Sequence, residues 1–359
     1  VKSGKKQASR FIEIDSLRFI ACAFVIIQHT LIYFTQFSTQ ESLLEKIILI
    51  LSPGWLGVLI FFSISGFVIP SSLKGPRFSA LKVFFKRRFL RLYPPFWIAC
   101  LIIIILDPAK YSISDLLWRV SMLPVEDRNV LGHSSYFWTL QIELVFYFLI
   151  AFLFSLFGRF SWKFFVSVLS ILTIPYAALI CIIGGRFAPF YNFTQCLPFS
   201  ILLMIWGAAC RAILDQHSSS ESIAKNKYSR AIKLGLTTGI LTVIPLHAVY
   251  FGTLEWNRAQ LHEGSATILG VFIFLFLAIL KPIKSPALAR LGRNTYSTYL
   301  LHGAVNLALV YLLTRSGTAG WPLPYLLIIT LVCSFIVGEV FYQIIEIPSN
   351  LLGRGNKRV

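Results

Sequence analysis

Charge is scarce in this sequence, and acidic charge scarcest of all. Only 13% of the 359 residues are charged, with 15 Asp and Glu against 33 Lys and Arg. An ordinary soluble domain carries roughly a quarter charged residues, so this chain cannot cover a water-facing globule with them. Cysteine is sparse too. The six cysteines (22, 100, 181, 196, 210 and 333) sit in or beside apolar runs, without CxxC or other metal-ligand spacing. They read as packing thiols rather than disulfides or ligands, and no metal is expected. Internal repeats, low-complexity tracts and a second hydrophilic domain are also missing, which leaves a single integral-membrane domain over 1–359, with tails at 1–15 and 347–359.

What the chain has instead is length in its apolar runs. Hydrophobic residues make up 56% of it, in stretches such as VLIFFSISGFVIP, FWIACLIIIIL and ATILGVFIFLFLAIL. With their apolar flanks such stretches approach the ~20 residues that span a bilayer, and in lipid a helix is the element that satisfies its own backbone. The fold class is therefore an all-α polytopic membrane protein with about ten spans. They are expected near 16–37, 47–72, 92–106, 137–157, 164–183, 197–214, 232–252, 265–280, 294–313 and 323–346. Pro53-Gly54 should break the second into a short outer helix and a full one, and Pro94-Pro95 should kink the short third or make it re-entrant.

A formal net charge of +18 could suggest nucleic acid, but its placement argues against that. Under the ten-span reading, Lys2 to Arg10, Lys74 to Arg91, Lys225 to Lys233, Lys281 to Arg293 and Arg354 to Arg358 fall on one side. Acidic residues balance the few cations on the other. This is the positive-inside pattern, which puts both termini in the cytoplasm and calls for no nucleic-acid partner. The first apolar run continues without a small-residue cleavage site and reads as a permanent span, not a signal peptide. Residues 107–136 outside read equally as a lid or as a connector, and 215–231 inside as a flexible loop.

Ionisable groups inside spans raise a functional hypothesis by default. In RFIACAFVIIQH, Arg18 and His29 are eleven positions apart, so they fall within roughly 20° of one helix face and about 16 Å apart along the axis. Singly, each reads as an interfacial anchor or a packing histidine; their shared face favours function. Glu143 in FWTLQIELVFY is expected at a depth similar to His29, where carboxylate and imidazole could share a general-base site. In KRRFLRLYPP, Arg88 and Arg91 are three apart and would turn one face towards a phosphate group, or simply anchor the helix. His302 and Glu339 are expected at comparable depth on adjacent antiparallel spans, where they would pair with each other for stability or else serve catalysis. Ser63, Ser65 and Gly66 in SISGF read as close helix packing.

Taken in order, these segments resemble the acyltransferase-3 family of integral membrane acyltransferases. IDSLRFIACAFVIIQH resembles its Arg and His motif, with ten residues between, and WLGVLIFFSISGF its Phe-Phe…Ser-Gly-Phe segment. RRFLRLYPPFW is similar to its Arg-x-x-Arg…Tyr-Pro motif, FWTLQIELVFY to its Trp-x-Leu-x-x-Glu…Tyr motif, and LGRNTYSTYLLH with EIP to its last spans. The resemblance implies transfer of an acyl group, commonly acetyl, from cytoplasmic acyl-coenzyme A to a hydroxyl of a glycan at the outer face of a bacterial inner membrane. It implies His29 as the catalytic histidine with Arg18 its companion and Glu143 an active-site carboxylate. Arg88 and Arg91 would contact the phosphates of acetyl-CoA, and Ser65 and Gly66 would line the donor path. The family's additional C-terminal esterase-like domain has no counterpart here, so a second transfer step would need a separate protein.

A thioester is already activated, so the protein must deprotonate the acceptor hydroxyl, position it and stabilise the oxyanion. No serine nucleophile elbow offers a competing covalent route. The same fold could move succinyl or another acyl group to a lipid or small metabolite. A transporter would require inverted or parallel repeats with paired broken helices, and Pro53-Gly54 has no partner. Oligomeric state is not legible.

Overall fold

The computed structural model describes residues 11–34, 43–106, 121–122, 137–183, 193–217, 223–254, 258–315 and 322–354. Every regular element among them is helical. In chain order these are α1 (Ile12–Phe34), α2 (Leu43–Leu51), α3 (Pro53–Val68), α4 (Arg77–Leu106), α5 (Trp138–Phe157), α6 (Trp162–Ile183) and α7 (Phe193–His217). They are followed by α8 (Ile223–Leu254), α9 (Arg258–Phe274), α10 (Pro286–Leu291), α11 (Thr295–Arg315), α12 (Leu323–Phe341) and α13 (Ile347–Arg354). Wide π turns, at Leu275–Leu280 and Tyr342–Glu346, extend α9 and α12.

Eight helical stretches among the described residues are long and apolar enough to cross a membrane. The two remaining expected spans fall on α6 and α8. This is an all-α polytopic membrane protein. The second span breaks as expected, at Ser52, whose backbone is left-handed with φ 45° between α2 and Pro53. The third span differs from expectation. It is neither short nor re-entrant, because α4 runs unbroken from Arg77 to Leu106 through Pro94 and Pro95. Its first turns alternate exposed Lys82, Lys86 and Arg87 with apolar residues, a pattern that extends a helix beyond lipid while its cations reach water. Of the segment expected as an inner loop, 215–217 and 223–231 are helical, and 218–222 lie outside the described residues. So does nearly all of 107–136.

α1 is the hub, packing against α3, α10, α11 and α12, while α3 packs in turn on α7 and α9. In lipid the pull between helices comes from close contact rather than from water exclusion, so small residues decide where backbones meet. A Cβ on Gly66 would lie 1.9 Å from the Met204 carbonyl oxygen, and one on Gly207 2.3 Å from that of Ser63. The α3–α7 crossing therefore needs glycine on both sides.

One end of the bundle gathers the start of α1, α10, α13 and the basic part of α4. Ser16 donates to the Ser285 carbonyl at 3.1 Å, and Ser349 donates to that of Leu90. Arg87, Lys284, Arg290 and Arg293 are exposed there. We refer to it as the basic end.

Gly66→Ala is expected to lower the melting temperature of the detergent-purified protein, an overpacking cost of about 1–3 kcal/mol. Gly235→Ala, whose Cβ would meet nothing within 4 Å, should leave it unchanged. Fluorescence-detected thermal unfolding compares the two.

Candidate active site

α1 and α11 run side by side in the same direction with a fixed register. The Cys22 thiol lies 3.9 Å from the Thr295 carbonyl, and His29 Nδ1 lies 2.8 Å from His302 Nε2, both contacts spanning 273 positions. Seven residues of each helix separate the two contacts, about 10 Å of rise. A histidine on each helix is thus brought ring to ring.

The protons of this pair follow from its neighbours. His302 Nδ1 lies 2.6 Å from the Tyr299 carbonyl, which can only accept, so that nitrogen carries the hydrogen. In a neutral His302 the other nitrogen, Nε2, must then be an acceptor. His29 Nδ1 is the donor to it, which leaves Nε2 of neutral His29 as a basic lone pair. A backbone carbonyl and a second imidazole here do what a carboxylate does for histidine in many enzymes, fixing tautomer and ring orientation.

One turn towards the basic end, Tyr299 also lines a cavity of about 90 Å³ between α1, α3, α4, α5 and α11. Arg18, Ser65, Arg88, Arg91 and Glu143 line it as well. Their order follows from helix phase. Arg88 and Arg91 are one turn apart on α4, and Glu143 precedes Tyr147 by one turn on α5. The Tyr147 hydroxyl donates to Glu143 Oε1 at 2.5 Å and stands 3.5 Å from Arg88 Nη1. The Arg88 guanidinium lies over the Tyr147 ring, 5.1 Å from its centre. Arg91 is within electrostatic reach of Glu143 and of Glu346, a buried residue in the π turn after α12 that accepts from Ser297 at 2.7 Å. Arg18 is held by buried Asp15 at 3.1 Å. Across the cavity, the Thr139 and Tyr299 hydroxyls are 2.7 Å apart and tie α5 to α11.

Five of the seven site residues named from sequence therefore share one cavity. His29 stands beyond it with His302, and Gly66 faces α7 on the other side of α3. Two expected pairings change. His302 is not paired with Glu339, which instead accepts from Asn294 at 2.8 Å and Gln343 at 2.7 Å. Glu143 is hydrogen-bonded to Tyr147, and the imidazole beside His29 is His302. Asp15, Tyr147, Tyr299 and Thr139 were not singled out from sequence. Tyr147 was signalled by its place four residues after Glu143, and Asp15 by its place three before Arg18. Tyr299 and Thr139 carried no comparable sign.

A bundle of apolar helices here encloses cations, a carboxylate and an oriented imidazole, the fold of a polytopic membrane protein with an ionisable interior. The acyltransferase-3 family, described as an acyltransferase domain, matches residues 11–342, and the chain belongs to it. Comparison with curated proteins and with solved structures gave no match.

His302→Phe keeps a ring in place but removes the acceptor for His29. It is expected to lower acyl transfer by about two orders of magnitude, the lower range for general-base catalysis, with protein in the membrane at its usual level. Glu339→Gln should stay within about two-fold, since a hydrogen-bonded amide can replace that carboxylate outside the pair. Transfer assays on membranes matched for protein amount distinguish the two.

Proposed function

We propose that this acyltransferase moves an acyl group, most simply acetyl, from acyl-coenzyme A on the cytoplasmic side to a hydroxyl of a cell-surface or periplasmic glycan, working in a bacterial inner membrane. The observation that carries this reading is the polarity of the site along α1. The guanidinium-lined cavity lies towards the basic end, and the oriented histidine pair lies on its far side. The positive-inside pattern assigns the basic end to the cytoplasm, where the donor is available.

In this reading His29 Nε2 takes the proton of the acceptor hydroxyl as its oxygen attacks the thioester carbonyl. The carbon–sulfur bond then breaks, and the leaving thiolate takes that proton back, so atoms and charge balance. His302 spreads the positive charge that His29 gains in passing and holds its ring, and the Tyr299 carbonyl holds His302. Arg18, Arg88 and Arg91 supply positive potential for the donor's approach. Tyr147 couples Arg88 to Glu143 and holds their side chains in fixed rotamers. Ser65 contributes a small hydroxyl to the cavity wall.

His29→Ala should abolish acylation with normal membrane levels of protein; full acylation of the acceptor by this variant would sink the assignment. Mass analysis of surface glycans from cells with and without the protein tests donor and acceptor together. An acyl mass increment on one sugar that follows His29 is the expected result. An increment confined to lipids or small metabolites would reassign the acceptor, and a heavier increment the acyl group.

A further inference from the structure

At the basic end, α3, α5, α6 and α7 leave a second and larger concavity, a groove of about 780 Å³. Lys74, Arg159, Lys163 and Arg211 line it, together with Phe160 and Trp162. Its carboxylate, Asp215, is held by Arg211 through two contacts of 2.8 and 2.9 Å, so the groove keeps a net positive lining. Lys74, Arg159 and Lys163 are exposed. The first turn of α6 opens into it, where the Ser161 hydroxyl accepts from the Phe164 amide at 3.2 Å. Lys233 approaches from α8, its amine 4.7 Å from the centre of the Trp162 ring.

Scattered cations at this end of a membrane protein need no ligand to explain them. What sets these apart is that they surround a concave space of ligand size and alternate with aromatic side chains. Several phosphates and a planar ring match that lining, the phosphates on the cations and the ring on an aromatic face. The volume falls in the roughly 300–1,000 Å³ range of small-molecule sites, whereas the cavity at Arg88 and Arg91 is too small for a nucleotide.

The two spaces share a wall. At the end of α3 and just beyond it, Ser65 and Ile69 line the cavity, while Gly66 and Pro70 line the groove. On α5, Glu143 lines the cavity and Phe154 the groove, eleven residues and about 16 Å closer to the basic end. The pantetheine arm of coenzyme A has about as many successive bonds as four to five extended residues, roughly 15 Å. A nucleotide in the groove would thus set its thioester at the level of the cavity.

Building on the donor proposed above, we propose that the groove binds the 3′-phosphorylated adenine nucleotide of acyl-coenzyme A, with Arg159 and Lys163 on its phosphates. The cavity then receives the acyl-bearing end, and Arg88 and Arg91 act on that end rather than on the nucleotide.

The test uses the full-length protein and its Arg159→Ala/Lys163→Ala variant, with adenosine 3′,5′-bisphosphate as the calorimetric probe. Loss of two charge-assisted contacts should weaken that binding by about ten-fold or more and raise KM for acyl-coenzyme A similarly, with a far smaller fall in kcat. Arg159→Lys/Lys163→Arg should restore most of both. Equal affinity of the alanine variant and the native protein for the probe overturns the proposal. So does a lipid outcome, in which the alanine variant in nanodiscs loses only its preference for phosphatidylglycerol. Acyl transfer with an unchanged KM removes the groove and spares the proposed function. Probe binding that depends on Arg159 and Lys163, without transfer from acyl-coenzyme A, keeps the groove and removes the donor.

Discussion

Two neutral imidazoles meeting between apolar helices have to distribute their protons among the few acceptors within reach. The Tyr299 carbonyl decides the matter, since it accepts from His302 and so obliges His302 to accept from His29. Everything proposed for the chemistry depends on this short relay. It needs no buried carboxylate beside the base, and so avoids the desolvation that an ion pair would cost at that depth. It also depends on register, because α1 and α11 must stay in phase for the rings to meet.

The rest of the bundle can be understood as the support of that phase. Gly292 lets α1 and the turn before α11 approach so closely that a Cβ there would lie 1.7 Å from the Asp15 carbonyl oxygen. Asp15 in turn holds Arg18. The same contact that sets the height of α1 therefore also sets the height of its arginine. Towards the basic end, polar groups are drawn from α4, α5 and the π turn after α12, whose extra residue per turn brings Glu346 round to Ser297. Charges are gathered on this side and the neutral relay on the other. That division suits the proposed reaction, in which the donor carries phosphates and the acceptor is a hydroxyl.

Much of this was legible in the sequence, and the exceptions have physical causes. Apolar run length carried the spans, and Pro53-Gly54 carried the break at Ser52. The start of α4 was hidden because cations interleaved with Phe and Leu lower the hydropathy of a helix without ending it. Its prolines did not end the helix, because neighbouring helices can re-satisfy the backbone that a proline frees. Within the site, periodicity along a single helix was sufficient for Arg18 with His29 and for Arg88 with Arg91. Partners on different helices were another matter. Depth alone made Glu339 a fair match for His302, and Glu143 for His29, but depth leaves rotation about the helix axis undetermined. Rotation is set by contacts such as Gly292 on Asp15, which are far apart in the chain.

The spacing inside α1 works as a ruler. One residue added between Arg18 and His29 would rotate the histidine by about 100° and raise it by about 1.5 Å. No change of rotamer could compensate while Asp15 stays seated against Gly292. The number of residues in the segment is thus held by the fold, and Cys22 within it is held as well by its contact with the Thr295 carbonyl. The segment's length is a measurement the fold makes between its two ends.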